Sequence, residues 1–404
     1  MRLLFFPTAL RDDGSARARR KRTVSEIKHE LPYETPNTGN IVHLEALRRM
    51  LRHHDPLGNG TARLAGLEAD DMSGVDIDPF YDGIVIQKSN LIRSYDHLGA
   101  DEQSRLLSKR RREAEWLAKS RLPIFVFGVG IQNALPPRPD AVAAPLFDLL
   151  KLYNDRAEIF AVRGEATAAW LHSVGLKKAV ALGCPSLFLN PVETSRIATP
   201  AIHPRMRLAS AGHLQRSAFP HRLEPINRIG ACFPTDYVFQ NDFFAFFRRF
   251  GELKVYDEQT NVVDVGIVRG LAKESIGIDL SFENYFLFLQ ADPWRNFAAT
   301  RDVYFGDRFH GGVVFLQSGR PAVLVCNDAR VADMADFMAI PVVQNEELKD
   351  GDPANILKSK LSEASLSPFR AKYRERLRAF RNAVMKVGLE LTNEAAFAEA
   401  LNGR

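Results

Sequence analysis

Apolar runs and turn residues alternate along this chain with the spacing of short strands and amphipathic helices. Short, mainly apolar segments at 81–87, 122–132 and 157–165 predict strands, and the pattern at 122–132 is that of a buried strand. Between residues 41 and 51 apolar side chains recur at helical intervals, and residues 101–120 predict a strongly basic amphipathic helix. Strands that alternate with helices indicate a parallel sheet with helices packed on its faces.

A second alternating set follows a stretch rich in proline, histidine, arginine and serine. This later part predicts strands at 228–233, 252–258, 275–280, 302–307 and 321–327, and helices near 238–250, 262–273 and 282–289. The last forty residues or so are predicted to be helical and to pack back across a domain joint.

The predicted fold class is therefore α/β, with two Rossmann-like domains facing a cleft and a C-terminal helical segment. The predicted boundaries are 1–195 for the N-terminal domain, 196–225 for a linker, 226–365 for the C-terminal domain and 366–404 for the C-terminal helices. A chain of 404 residues is long enough for two domains with separate cores.

Net charge and cysteine content indicate which ligands and which cellular compartment to expect. A net charge of +5 and a pI near 9.0 suit anionic ligands without requiring nucleic acid, and no nucleic-acid partner is expected. The three cysteines are widely spaced, so we expect neither a disulfide framework nor a zinc site. We expect a cytoplasmic location, where cysteines stay reduced. The apolar start of the chain reads as a first strand rather than a signal peptide.

Two basic stretches, residues 16–22 and 109–112, carry an open alternative. Each is either a solvated loop or helix face, or a peripheral contact with an anionic surface such as the inner membrane. No apolar run reaches the length needed to cross a bilayer.

Ligands gather at the carboxyl ends of parallel strands, and the loops there hold the candidate binding residues. Gly39 and Asn40 open a helix, where a glycine lets a ligand approach and free N–H groups face an anion; a plain N-cap at Asn40 is the alternative. Gly128, Gly130 and Gln132 follow a strand, but they do not form GxGxxG, and tight turning explains such glycines equally well.

Two further loops carry arginine. Arg163 stands at a strand-to-helix joint, either as an anion ligand facing the cleft or as a partner for Glu165. Arg308 and His310 are predicted to point to one side of an extended segment, with Phe309 facing the core and Gly311 next to them opening a helix. A guanidinium, an imidazole and a helix N-terminus together suit an anion, although a histidine at a strand end often serves structure.

Residues 305–341 resemble the Arg-Leu-His-Ala/Gly motif of the polysaccharide pyruvyl transferase family, with the helix, Gly-x-Pro turn and strand that follow it. Weaker similarities come in the family's order at 37–40, 127–132, 160–176 and 184–191. The resemblance therefore spans roughly residues 35–345.

The resemblance implies a GT-B-like fold and transfer of pyruvate from phosphoenolpyruvate onto two hydroxyls of a sugar. The product would be a cyclic ketal in an exopolysaccharide or cell-surface glycan, the acceptor a sugar or lipid-linked oligosaccharide, and no cofactor is needed beyond the donor. The motif carries donor binding over to Arg308 and His310, with Arg163 completing the clamp on closure. We hypothesise that His310 binds the phosphate or helps it leave, with Asp307 and Glu283 as candidates for the general acid.

Two departures from the family pattern fall in the half assigned to the acceptor. Asn40 stands where the family usually has an acidic residue, and residues 87–90 stand where it tends to have a run of glycines. These departures favour, as one alternative, a non-catalytic glycan-binding relative. The other alternative is a GT-B glycosyltransferase with a nucleotide-sugar donor, in which Glu283, Asn327 or Asp328 would contact ribose or sugar.

Overall fold

The computed structural model describes residues 1–6, 21–30, 37–55, 76–95, 98–132, 134–214 and 222–403 of the chain. Their strands are β1 Leu3–Phe6, β2 Lys21–Thr23, β3 Gly83–Gln87, β4 Ile124–Val129, β5 Ala157–Val162, β6 Ala179–Ala181, β7 Leu208–Ser210, β8 Thr235–Phe239, β9 Lys254–Asp257, β10 Val262–Val263, β11 Tyr285–Leu287, β12 Val303–Gly306, β13 Ala322–Cys326 and β14 Val342–Gln344.

Helices separate most of these strands. They are α1 Val24–Glu30, α2 Gly39–Met50, α3 Ala100–Lys119, α4 Ala144–Arg156, α5 Glu165–Ser173, α6 Pro191–Ser195, α7 Leu223–Cys232, α8 Asp242–Phe246, α9 Val265–Ile276, α10 Ala291–Ala299, α11 Phe309–Gln317, α12 Ala329–Met338, α13 Asn345–Asp350, α14 Pro353–Lys360, α15 Glu363–Lys386 and α16 Glu394–Asn402.

The first sheet is parallel throughout, in the order β1-β3-β4-β5-β6. Because side chains alternate across a strand, Ile84 and Ile86 of β3 pack into the core shared with α3 and α4. Val85 between them joins the core shared with α2 on the other face. Burial on both faces explains why these strands are continuous apolar runs in the sequence.

The second sheet has the order β14-β13-β12-β7-β8-β11-β10-β9-β2, and its strands from β14 to β11 are parallel. From β7 the chain moves outward on one side through β8, and it later returns to the other side of β7 with β12. The carboxyl ends of β7 and β12 therefore form a topological switch point, where open α/β sheets bind their ligands.

The two Rossmann-like domains face each other across a joint, so the predicted α/β, GT-B-like architecture with C-terminal helices is confirmed. The C-terminal helices follow the second domain in sequence but pack on the first. Phe380 of α15 stacks on Phe188 with ring centroids 4.7 Å apart, and the Tyr373 hydroxyl donates to the Leu187 carbonyl oxygen at 3.0 Å.

Several local predictions in the second half are wrong. The predicted linker, 196–225, contains β7 in the middle of the second sheet, and the predicted strand at 228–233 lies largely in α7. Of the helix expected near 238–250, only the short α8 is helical, and the first residues of that range belong to β8; the helix expected near 282–289 contains β11 instead. These strands have three to five residues, too few for alternation to separate them from one face of a helix.

The basic stretch 16–22 is only partly described, since residues 16–20 lie outside the described ranges. Lys21 and Arg22 belong to β2 at the edge of the second sheet, although the sequence assigned them to the first domain. Arg22 is buried and pairs with Glu258 at 3.3 Å, so at this residue a solvated loop is wrong. Within the part of the chain that the structure describes, no helix is both long enough and apolar enough to cross a bilayer.

Candidate active site

The switch point of the second sheet holds a buried carboxyl group among cations. Asp307 directly follows β12, and its Oδ2 accepts hydrogen bonds from Arg222 Nε at 3.0 Å and Asn327 Nδ2 at 3.2 Å. Its Oδ1 is buried and has no hydrogen-bond partner. Burial raises the pKa of Asp307, and the opposing effect of Arg308 and Arg222 does not cancel that rise. Asp307 therefore takes up a proton more readily than an exposed carboxyl group.

Arg308 is fixed within the same domain. Its Nε donates to the Gly212 carbonyl oxygen at 2.7 Å, and its Nη2 lies 2.9 Å from His213 Nδ1. Burial, together with Arg308 and Arg222, lowers the pKa of His213 to about 2, so this imidazole is neutral and accepts from Arg308. Residues that follow β7 thus orient the arginine that follows β12.

The predicted shared direction of Arg308 and His310 is wrong. Helix α11 already begins at Phe309, so only Arg308 keeps extended backbone angles, with φ −100° and ψ 109°. Arg308 contacts residues of its own domain, whereas His310 Nε2 lies 3.7 Å from Cys184 Sγ of the first domain. Phe309 is buried, as expected of a core residue.

A second group of side chains lies where the domains meet. His43 of α2 places Nδ1 3.4 Å from Cys184 Sγ, and its ring stacks on His310 with centroids 5.9 Å apart. The other nitrogen of His43, Nε2, is 3.0 Å from the Lys88 carbonyl oxygen. Burial first, and then Arg163, lower the pKa of both histidines, so both rings are neutral at physiological pH.

Arg163, at the carboxyl end of β5, completes this interface. Its Nη1 donates to Asn90 Oδ1 at 3.2 Å, while Nε and Nη2 are buried without a hydrogen-bond partner. Burial lowers the pKa of Arg163, Cys184 acts in the opposite direction, and Arg330 lowers it further. Glu165, the alternative partner, is exposed and pairs with Arg376 at 3.3 Å instead. A buried guanidinium with free donors is suited to an anion.

The second domain holds the Arg163 loop in place. Asp333 of α12 reaches across the joint, and its Oδ1 accepts from the backbone N–H of Ala166 at 3.0 Å. Its Oδ2 accepts from Thr167 Oγ1 at 3.4 Å. Burial raises the pKa of Asp333, and these hydrogen bonds oppose the rise. The start of α5 is thereby capped by the other domain.

The predicted glycines make room for protein side chains. A Cβ on Gly128, which has φ +77°, would lie 2.5 Å from His43 Cε1, and one on Gly130 would lie 3.0 Å from Arg163 Cδ. A Cβ on Gly39 would lie 2.2 Å from Gln240 Oε1 of the other domain. Gly311 faces the Tyr304 ring, with a Cβ only 2.6 Å from the hydroxyl oxygen, so it serves packing.

Three other predicted residues, Asn40, Gln132 and Asn327, hydrogen-bond to groups of the protein itself. Asn40 lies in the first turn of α2, its backbone N–H bonded to the Asn37 carbonyl oxygen at 2.9 Å. Gln132 accepts from Arg93 at 3.4 Å beyond β4. Asn327 holds Asp307, as described above.

The prediction that Glu283 belongs to the site is wrong. It is exposed and bonds through its backbone N–H to the Thr235 carbonyl oxygen at 2.8 Å, at the amino end of β8. Parallel strands share one carboxyl edge, so Glu283 lies on the edge opposite Asp307 and is not a candidate acid.

Sequence reasoning missed several residues of this site, namely His43, Cys184, His213, Arg222, Arg330 and Asp333. His213 would have followed from recognising β7 inside the supposed linker, because ligand-facing residues come directly after such strands. His43 stands on the buried face of a helix, where nothing in the spacing separates a functional histidine from a core residue.

Solved structures with some similarity act on or contain uridine nucleotides. HepE of Anabaena in complex with UDP-glucose is 13% identical, with 87% of this chain and 85% of that one covered and a TM-score of 0.40. MnaA of S. aureus with UDP is 11% identical, with 86% and 94% covered and a TM-score of 0.40. A putative UDP-N-acetylglucosamine 2-epimerase from Listeria monocytogenes is 11% identical, with 82% of each chain covered and a TM-score of 0.41. These similarities are too distant to assign a function.

The comparison of sequences is more specific. No curated protein sequence matches the chain significantly. The profile of the polysaccharide pyruvyl transferase family, however, matches residues 33–328, from the segment before α2 to the start of α12. That range includes Arg163, Cys184 and His310, and it confirms the resemblance seen in the sequence. The chain belongs to the polysaccharide pyruvyl transferase family.

Proposed function

We propose that this transferase moves pyruvate from phosphoenolpyruvate to two hydroxyls of a sugar, giving a cyclic ketal and inorganic phosphate. The observation that carries the proposal is Arg163, a buried guanidinium with two unpartnered donors beside His310. Such a group needs an anion to offset its burial, and a carboxylate or phosphate matches its planar donors.

The site has a second pair of arginines, to which we assign the donor's other anionic group. Their guanidinium groups also face carboxylates, with Arg308 3.9 Å from Asp242 and Arg222 3.7 Å from Asp328. Arg308 and Arg222 stand around Asp307 at the switch point, while Arg163 and Arg330 act together on His310. Phosphoenolpyruvate carries both a phosphate and a carboxylate, so one group is assigned to each pair of arginines. Binding would draw the two domains together, because Arg163 comes from the first and Arg308 from the second.

The reaction needs a proton on the methylene carbon of the donor. We assign this proton to the carboxyl group of Asp307, whose pKa is raised by burial. The cation formed at the neighbouring carbon is captured by one sugar hydroxyl, whose proton returns to Asp307. The carbon–phosphate oxygen bond then breaks, the second hydroxyl closes the ring, and its proton leaves with the phosphate. His310, as a neutral imidazole, donates a hydrogen bond to the departing phosphate.

No observation favours a nucleotide-sugar donor. Glu283 lies on the far edge of the sheet, and Asp328 caps α12 by accepting from the Val331 N–H at 2.9 Å. Asn327 is bonded to Asp307. Of the three residues that would have contacted ribose or sugar, Glu283 is therefore remote from the site, while Asn327 and Asp328 are engaged by groups of the protein itself.

The test is phosphate release from phosphoenolpyruvate with a panel of free and lipid-linked oligosaccharides, and detection of the ketal in the product. Arg163→Met should lower kcat/KM at least about 100-fold, because charge-assisted contacts are lost in a buried site. Arg138→Met is the matched control, since Arg138 is exposed and pairs with the exposed Asp140 at 3.2 Å. Unchanged phosphate release in Arg163→Met, or release of a nucleotide from a sugar nucleotide instead, would refute the proposal.

A further inference from the structure

We propose that His43, Cys184 and His310 bind one zinc ion at the domain interface. Two imidazole nitrogens and one thiolate sulfur are a donor set that zinc prefers. The wide cysteine spacing argued against a zinc site in the sequence, but that argument concerns ligands close together along the chain. Here the three ligands come from separate segments, and all three are buried.

Both sulfur–nitrogen distances in the cluster fit a tetrahedral ion. Zn–S distances near 2.3 Å and Zn–N distances near 2.0–2.1 Å place a ligand sulfur about 3.5 Å from a ligand nitrogen. Cys184 Sγ lies 3.4 Å from His43 Nδ1 and 3.7 Å from His310 Nε2, on either side of that value. All three donor atoms lie within 4.8 Å of one another.

The surroundings of His43 are those of a metal ligand. Its Nε2 donates to the Lys88 carbonyl oxygen at 3.0 Å, which leaves Nδ1 as the lone pair that faces Cys184. The backbone of Lys88 is tied to β4, because its N–H donates to the Phe127 carbonyl oxygen at 3.0 Å. Such a hydrogen bond from the outer nitrogen fixes the ring for a metal on the inner one.

Three protein ligands leave a fourth position on the ion. Ser186 Oγ lies 3.0 Å from Cys184 Sγ, and the neighbouring cation is Arg163. The thiolate offsets one of the two charges of zinc, so an exchangeable anion at the fourth position offsets the other. Zinc sites with three protein ligands keep a fourth position for an exchangeable ligand, whereas structural zinc sites have four protein ligands.

Zinc would connect the two domains and compete with catalysis. His43 and Cys184 belong to the first domain and His310 to the second, so the ion ties α2 to α11. It also occupies the Nε2 of His310. This consequence, unlike the binding itself, rests on the proposed pyruvyl transfer: the zinc-bound form should release no phosphate from phosphoenolpyruvate.

The test is cobalt and zinc binding to the metal-free full chain, without substrate. Wild-type protein should bind one Co²⁺ with a thiolate-to-cobalt charge-transfer band, which zinc removes. Cys184→Ser should abolish the band and weaken zinc binding at least about 100-fold, because losing a ligand costs more than losing an outer partner. Cys232→Ser should keep both, since Cys232 is exposed at the end of α7.

The absence of the band from wild-type protein, or its retention in Cys184→Ser, would refute the proposal. If Cys184→Ser does not fold, His310→Ala serves instead: it should weaken zinc binding while keeping the cysteine, and unchanged affinity would refute the site. Cobalt binding together with no pyruvyl transfer by the metal-free protein would refute the proposed function and leave the metal site standing.

Discussion

At the scale of single residues, the contact between the two domains requires a glycine, which has no side chain, at position 164. A Cβ on Gly164 would lie 2.3 Å from the Asp333 carboxyl group. The same carboxylate holds the first turn of α5, directly after Arg163. The glycine therefore permits a contact between domains that also places the arginine of the site.

Gly164→Ala should destabilise the protein by about 1–3 kcal/mol, because the new methyl group overpacks the joint and displaces Asp333. Phosphate release should fall with it, since the Arg163 loop shifts. Gly270→Ala is the control: Gly270 is exposed within α9 and has open space around its Cα, so alanine should stabilise by up to about 1 kcal/mol. Denaturant unfolding measures both, and equal effects of the two changes would contradict the contact.

The sequence placed Arg163 and Arg308 correctly in the fold because local order determines where a strand ends, whereas their roles in binding belong to the proposed function. Arg163 and Arg308 each stand at the end of a recognisable strand, and the chemistry of an arginine at such a place is visible in the chain itself. Cys184 and His43 are 141 positions apart, and only the packing of α2 against the segment after β6 brings them together. No local pattern encodes that distance.

At the scale of elements, α3 supports the site from behind the first sheet. Glu113 of α3 is fully buried, where it contacts Lys88 Nζ at 2.9 Å, Arg110 Nη1 at 3.1 Å and the Tyr153 hydroxyl at 2.6 Å. Lys88 is also the residue whose carbonyl oxygen fixes His43. Where the family tends to have a run of glycines, at 87–90, this chain therefore has larger side chains. One of them, Lys88, anchors the site to α3 through Glu113.

Glu113→Gln should cost about 3–5 kcal/mol, because it leaves buried cations without their carboxylate. Burial alone would raise the pKa of Glu113, but Lys88 and Arg110 outweigh it and hold the pKa below 4.5. The stabilising contribution is therefore present above pH 4.5 and is lost as the pH falls below it.

Unfolding measured between about pH 7 and pH 3 separates the two effects: the variant should lose stability at neutral pH and show a flatter acid dependence than wild type. Glu115→Gln, two positions along the same helix and exposed, should change neither. A wild-type acid dependence retained by Glu113→Gln would contradict this assignment.

Prediction of elements from sequence worked for long or fully apolar segments and failed for short ones. Strands β3, β4 and β5 have five or six residues inside a sheet and read as strands. Strand β7 has only three residues and is flanked by polar and proline-containing segments. Its own residues are too few to indicate a strand inside a stretch whose composition is typical of a loop. The switch point was missed for that reason.

At the scale of the whole molecule, α15 is the main tie between the end of the chain and the first domain. Phe380 is fully buried against Phe188, and it also lies 6.2 Å from the Phe127 ring beside the strand that carries Gly128. The two-domain architecture followed from the alternation of strands and helices. The sequence predicted that the last helices pack across the domain joint, but it did not predict that they lie on the first domain.

Phe380→Ala should lower the free energy of unfolding by about 3–5 kcal/mol, because a large cavity opens in the core under α15. Calorimetry should show the first domain unfolding at a lower temperature. Met385→Ala on the same helix is the control: its side chain is 49% exposed, and an effect within about 0.5 kcal/mol is expected. Equal melting temperatures for both variants would contradict a structural role for α15.

The placement of α15 and α16 has a consequence for synthesis. The ribosome releases the first domain long before residues 363–402 exist, so its apolar surface around Phe188 stays uncovered while the second domain is made. At about 5–20 residues per second, that interval lasts roughly ten to forty seconds. A nascent chain arrested before residue 363 should therefore recruit chaperones that the complete chain does not retain.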